Sequence, residues 1–128
     1  MALRDTLRIL VVDDMSTSRG LITQALDTIG IRNVTTAACG PTAVEIASRS
    51  QVHLVISDLN MPGMDGLGLL HALRSGEKTA RVGFILITGR LDPATMDKGR
   101  RLGMNNVVAK PFDSTSLQRA IEAVVGRL

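Results

Sequence analysis

Five short β-prone segments recur along this chain, and a helix-patterned stretch follows each of them. Ile9-Leu10-Val11-Val12, Leu54-Val55-Ile56 and Phe84-Ile85-Leu86-Ile87 are apolar at every position, and Val107-Val108-Ala109 is a shorter run of the same kind. A strand with one wet face alternates polar and apolar residues, whereas a strand apolar on both faces needs cover on both. Val34-Thr35-Thr36-Ala37-Ala38 is β-branched but less apolar, which suits a sheet edge.

The stretches between carry helix punctuation. Ile22, Leu26 and Ile29 share a helix face that stops near Gly30. Pro41 fits the first turn of a helix running to about Ser50. Gly66 to Ser75 forms another, with Leu69, Leu70 and Leu73. Asp92 followed by Pro93 reads as N-cap and first helical residue, with Gly103 as the stop. Asp113 or Ser114 caps a last helix with Leu117, Ile121 and Val124 on one face. The pattern is βα repeated five times, an α/β chain. It predicts a five-stranded parallel sheet with right-handed crossovers and helices on both faces. The polar second strand suits the order 2-1-3-4-5, a flavodoxin-like (βα)5 fold. No linker or low-complexity segment interrupts the 128 residues, so residues 1–128 are expected to form one domain.

Several function classes are disfavoured at this stage. Two Phe with no Trp or Tyr leave little on which bases could stack, and the net charge of +3 comes without a basic run. No nucleic-acid partner is expected. The single Cys39 excludes an internal disulfide and a Cys-based zinc site, and it fits a reducing compartment. His53 and His71 lack metal-ligand spacing. The charged N-terminus is unlike a signal peptide, and no apolar run is long enough to cross a bilayer. A cytoplasmic protein without membrane insertion is expected.

In open parallel sheets ligands bind beyond the carboxyl ends of the strands, where the strand order reverses. Asp13 and Asp14 follow the first strand, and Asp58 follows the third after Ser57. Were those strands neighbours, three carboxylates would meet at one edge, an arrangement that calls for a cation between them. Oxygen ligands of this kind suit Mg²⁺. Thr88 ends the fourth strand, where its hydroxyl could donate to an oxyanion. Lys110 ends the fifth strand before Pro111, and its ammonium suits a phosphoryl oxygen. A cis Lys110-Pro111 bond would turn that side chain back toward the carboxylates. A backbone carbonyl of the loop Asn60-Met61-Pro62-Gly63-Met64-Asp65-Gly66 could complete a metal shell. A nucleophilic carboxylate, a divalent cation, a hydroxyl and an ammonium are equipment for placing a phosphoryl group on Asp58.

With these residues in this order, the chain resembles a response-regulator receiver domain from Ile9 to about Val125. The resemblance rests on Val11-Val12-Asp13-Asp14, on the segment from Asp58 to Gly66, on Thr88-Gly89 and on Lys110-Pro111-Phe112. Asp13-Asp14-Met15-Ser16-Thr17 and Asn60-Met61-Pro62 are similar to the stand-alone chemotaxis type. The resemblance implies that a histidine kinase phosphorylates Asp58 and that the protein catalyses both the transfer and its own dephosphorylation. It further implies Mg²⁺ held by Asp14 directly, by Asp13 mostly through water, by Asp58 and by the carbonyl of Asn60. Thr88 would bond the phosphoryl group and move toward it, and Lys110 would pair with it. Output would be binding to a flagellar motor switch protein, or alternatively a phosphate sink that drains a kinase. A monomer is expected.

One departure concerns Val107. The family commonly has an aromatic residue three positions before the Lys, and it swings inward when the Thr moves. Val107 has no ring to swing. It is expected to pack, leaving the switch to Thr88 and loop motion, so the output face between Pro93 and Val125 is harder to assign. Arg90 would lie near the site entrance as a surface residue. Other chemistries fit worse. A flavin site needs a phosphate-cradling loop where Asp13 and Asp14 stand. Dehalogenase-type phosphatases carry an Asp two residues after the nucleophile, where this chain has Asn60. A dinucleotide fold wants its glycines straight after the first strand. His71 lies in a leucine-rich helix without a supporting phosphohistidine motif.

Overall fold

Strand β1 (Arg8–Val12) pairs with β2 (Asn33–Ala37) on one side and β3 (Leu54–Asp58) on the other, and β4 (Gly83–Thr88) and β5 (Asn106–Ala109) extend the sheet beyond β3. All pairings are parallel, in the order β2-β1-β3-β4-β5. The expected (βα)5 order is present in this computed structural model, which describes residues 2–128. The most apolar segments fill the middle of the sheet, and the Thr-rich β2 lies at an edge with Thr35 and Thr36 exposed.

The helices are α1 (Leu3–Thr6), α2 (Ser16–Ile29), α3 (Gly40–Arg49), α4 (Gly66–Ser75), α5 (Pro93–Arg101) and α6 (Ser114–Val125). Two cores result, one on each face. Ile9, Val11, Ile56, Ile85 and Ile87 pack against α2 and α6 through Ile22, Leu26, Leu117 and Ile121. Leu10, Val12, Val55, Phe84 and Leu86 pack against α3, α4 and α5 through Ala43, Leu69, Leu70, Leu73 and Met96. Strand residues therefore alternate between two buried faces, which is why the runs read as continuously apolar.

The helix ends follow their local chemistry. Gly30 takes the left-handed conformation after α2, with φ 98°. Asp92 and Asp113 cap α5 and α6 by accepting the backbone N–H groups of Thr95 and Ser116. Helix α1 has no counterpart in the fivefold repeat read from the sequence. A single turn is too short to show a 3.6-residue period. It is held locally, with the Ala2 N–H donating to Asp5 and the Leu7 N–H to Leu3, and Leu7 is buried just behind it.

Candidate functional site

The carboxyl ends of β1 and β3 lie side by side, with Val12 opposite Ser57. The next residues are Asp13 and Asp58, so the register alone brings their carboxyls together. Carboxylate oxygens of Asp13, Asp14 and Asp58 lie within 4.8 Å of one another. Asp13 is 1% exposed and Asp58 7%, while Asp14 faces solvent. Lys110, just past β5, donates to Asp58 Oδ1 at 2.6 Å. The Lys110-Pro111 bond is cis.

The site is anchored through backbone. The Asp13 N–H donates to the Ala37 carbonyl and the Lys110 N–H to the Thr88 carbonyl, at 3.1 and 2.8 Å. Arg19 in α2 donates to the Asp13 carbonyl at 2.8 Å. The Ser57 hydroxyl donates to the Asp58 carbonyl at 2.9 Å. Gly66 lets α4 start directly against β3, because a Cβ there would lie 2.6 Å from the Asp58 carbonyl oxygen. The loop between turns at Gly63, with φ 74°, and is pinned by buried Met61.

Three carboxylates face one ammonium, so the cluster carries uncompensated negative charge. Asp13 Oδ1 accepts the Met15 N–H at 3.0 Å, but the buried Asp13 Oδ2 has no hydrogen-bond partner among the described residues. An unpartnered carboxylate oxygen inside an all-oxygen cluster is what a small hard cation requires. The donor set therefore fits Mg²⁺.

Thr88 is buried at the end of β4, but its hydroxyl is not turned to the carboxylates. It donates to the Arg90 carbonyl at 3.0 Å and accepts the Arg90 N–H at 3.1 Å, closing a turn. Asn60 is exposed in the loop after β3. Val107 is half-buried and packs on the core under α4 and α5. Arg90 is exposed, as is His71. One neighbour was absent from the sequence reading: the Lys110 ammonium also lies 3.3 Å from Ser18 Oγ. The stripe Ile22, Leu26, Ile29 extended back by one helical turn reaches Ser18, and that signal was available.

Comparison with known proteins agrees with this geometry. The profile of the response regulator receiver domain matches residues 9–122. A probable chemotaxis protein CheY from Rhizobium etli is 42% identical over 128 residues, covering 100% of this chain and 99% of that protein. The chemotaxis protein CheY of Pseudomonas aeruginosa is 32% identical over 122 residues, covering 95% and 98%. Among solved structures, Vibrio cholerae CheY4 superposes with a TM-score of 0.87 at 28% identity, covering 93% of this chain and 98% of that one. The receiver domain of a sensor histidine kinase from Pseudomonas aeruginosa gives a TM-score of 0.85 at 30% identity, covering 94% and 98%, and holds a magnesium ion in its active-site cleft. The chain belongs to the response regulator receiver domain family.

Proposed function

We propose that residues 1–128 act as one receiver domain, a response regulator in chemotaxis that accepts a phosphoryl group on Asp58 from a histidine kinase. The observation that carries the reading is the 2.6 Å contact of Lys110 with Asp58 beside the carboxylates of Asp13 and Asp14. The chemotaxis assignment is supported by the relatives from Rhizobium etli and Pseudomonas aeruginosa, which match over nearly their whole lengths. A cytoplasmic monomer suits this role, and no helix among the described residues is long and apolar enough to cross a membrane.

Lys110 occupies Asp58 Oδ1, so Oδ2 is the oxygen free to attack phosphorus. The new O–P bond forms as the P–N bond of the phosphohistidine breaks, and the imidazole leaves with the electron pair. Asp13, Asp14, Asp58 and the carbonyl of Asn60 would hold Mg²⁺. When bound, the cation offsets carboxylate charge that would otherwise repel an anionic donor. Lys110 donates to a phosphoryl oxygen once Oδ1 belongs to an acyl phosphate. Thr88 exchanges the Arg90 carbonyl for a phosphoryl oxygen, and the turn at Arg90 moves with it. Water attack on phosphorus later returns Asp58 to its carboxylate.

The output we favour is phosphorylation-dependent binding to a flagellar motor switch protein. A second reading, a phosphate sink that drains a chemotaxis kinase, is favoured by Val107, which offers no ring to couple Thr88 to the β5 surface. Titration of a motor-switch N-terminal peptide, with and without Mg²⁺ and beryllofluoride, separates them. Tighter binding only in the activated sample is the expected result. Activation confirmed by backbone NMR shifts without any binding would replace it with the sink.

A further inference from the structure

We infer that Ser18 is a positioning residue for phosphoryl transfer, acting through Lys110. The inference rests on the reading of Asp58 as the phosphoryl acceptor.

The Lys110 ammonium has three N–H donors on a flexible four-carbon stem. One donor goes to Asp58 Oδ1 at 2.6 Å and a second to Ser18 Oγ at 3.3 Å. Ser18 belongs to the first turn of α2, and Asp58 ends β3. The two acceptors therefore come from separate elements. A tetrahedral ammonium held at two corners from different sides has its remaining N–H direction set. A phosphoryl group on Asp58 would meet that N–H without the Lys stem first having to be ordered. Ser18 is half-buried, and the only hydrogen bond of its hydroxyl among the described residues is the one from Lys110. It also lines a groove of about 540 Å³ between α2 and α6, together with apolar Leu21, Ala25 and Phe112 and polar Gln24, Thr28 and Asp113. Of the polar residues that line this groove, Ser18 is the one whose hydroxyl accepts a hydrogen bond from Lys110 among the described residues.

The test uses phosphoramidate, a small donor that needs no docking surface. An Asp58 oxygen bonds phosphorus as the P–N bond breaks and ammonia leaves, so any effect of Ser18 is read apart from docking of a kinase. Wild type, Ser18→Ala and Ser18→Thr are labelled with Mg²⁺ present, and beryllofluoride affinity is measured on each. Ala is the strongest helix former, so the fold persists; amide NMR spectra check it, and Ser18→Thr keeps the hydroxyl as the second variant. Ser18→Ala is expected to slow labelling and weaken beryllofluoride binding about three- to tenfold, the range for a weak charge-assisted hydrogen bond, with Ser18→Thr restoring both. Wild-type rates in Ser18→Ala, or equal losses in both variants, would overturn the inference alone. A wild-type chain that takes no label on Asp58 would overturn the acceptor reading and this inference with it.

Discussion

Lys110 reaches across a whole strand to pair with Asp58. Asp58 ends β3 and Lys110 follows β5, with β4 between them, yet Nζ lies 2.6 Å from Oδ1. Adjacent strands are roughly 5 Å apart, so the Lys110 stem, the hydrogen bond and the Asp58 carboxyl together span roughly 10 Å of sheet. Lys110→Ala should therefore leave the fold intact, because the side chain is 32% exposed and its loss empties no core. Labelling of Asp58 by phosphoramidate should fall by about tenfold or more, since the one ammonium beside the acceptor is gone. Wild-type labelling of the variant would remove Lys110 from the mechanism.

Asp13 stores a cost that a cation relieves. Its Oδ2 is buried without a partner among the described residues, and an oxygen of its carboxyl lies within 4.8 Å of oxygens of Asp14 and Asp58. Asp13→Asn keeps Oδ1 for the Met15 N–H, removes one negative charge and adds donors toward Asp14 and Asp58. In metal-free buffer the variant should be more stable than wild type by about 1 kcal/mol. Wild type should in turn gain about 2.7 kcal/mol at a Mg²⁺ concentration one hundred times its dissociation constant, and the variant far less at that same concentration. Denaturant melts with and without Mg²⁺ measure both. A variant no more stable than wild type without metal would show that Asp13 Oδ2 carries no such cost.

Much of this site was legible because it depends on residue type at strand ends. Asp13, Asp14, Asp58, Thr88 and Lys110 each stand within two residues of the carboxyl end of a strand, and continuous apolar runs mark those ends clearly. Parallel order then brings the carboxylates together without any detail of packing. What stayed hidden depends on side-chain direction. The turn that engages Thr88 with Arg90 is a local choice between two acceptors, and composition does not rank them. Ser18 is polar at a position where the helix stripe was read only from its apolar members. Helix α1 was missed because four residues show no period.

Gly66 fixes where Asp58 points. A Cβ at this position would lie 2.6 Å from the Asp58 carbonyl oxygen and 2.8 Å from Leu86 Cδ1. The first of these is backbone and cannot rotate away. Gly66→Ala must push α4 off β3 or distort the strand end that presents the acceptor. A loss of about 1–3 kcal/mol is expected, as for other overpacked sites, together with slower labelling of Asp58. Gly68→Ala is the control, because its added carbon would meet side-chain atoms at 3.2 Å or beyond. Equal stability of the two variants would mean that the approach of α4 to Asp58 is soft.

The helices flanking β5 should loosen together in acid. Hydrogen bonds from the Thr95 hydroxyl and N–H hold the Asp92 carboxyl below its ordinary range, and the Ser116 N–H and hydroxyl do the same for Asp113. Unfolded, each titrates near about 3.9. A carboxyl with a depressed folded-state pKa contributes stability that is fully present above the unfolded value and disappears as pH falls through the folded value. The caps of α5 and α6 are therefore intact at neutral pH and are lost below about pH 4. The Thr95 and Ser116 amide resonances should shift over that window as their acceptors protonate. Asn caps helices as well as Asp and does not titrate there. The double variant Asp92→Asn, Asp113→Asn should consequently lose less melting temperature than wild type between about pH 5 and about pH 3. An identical loss in both proteins would show that these two caps do not set the acid limb.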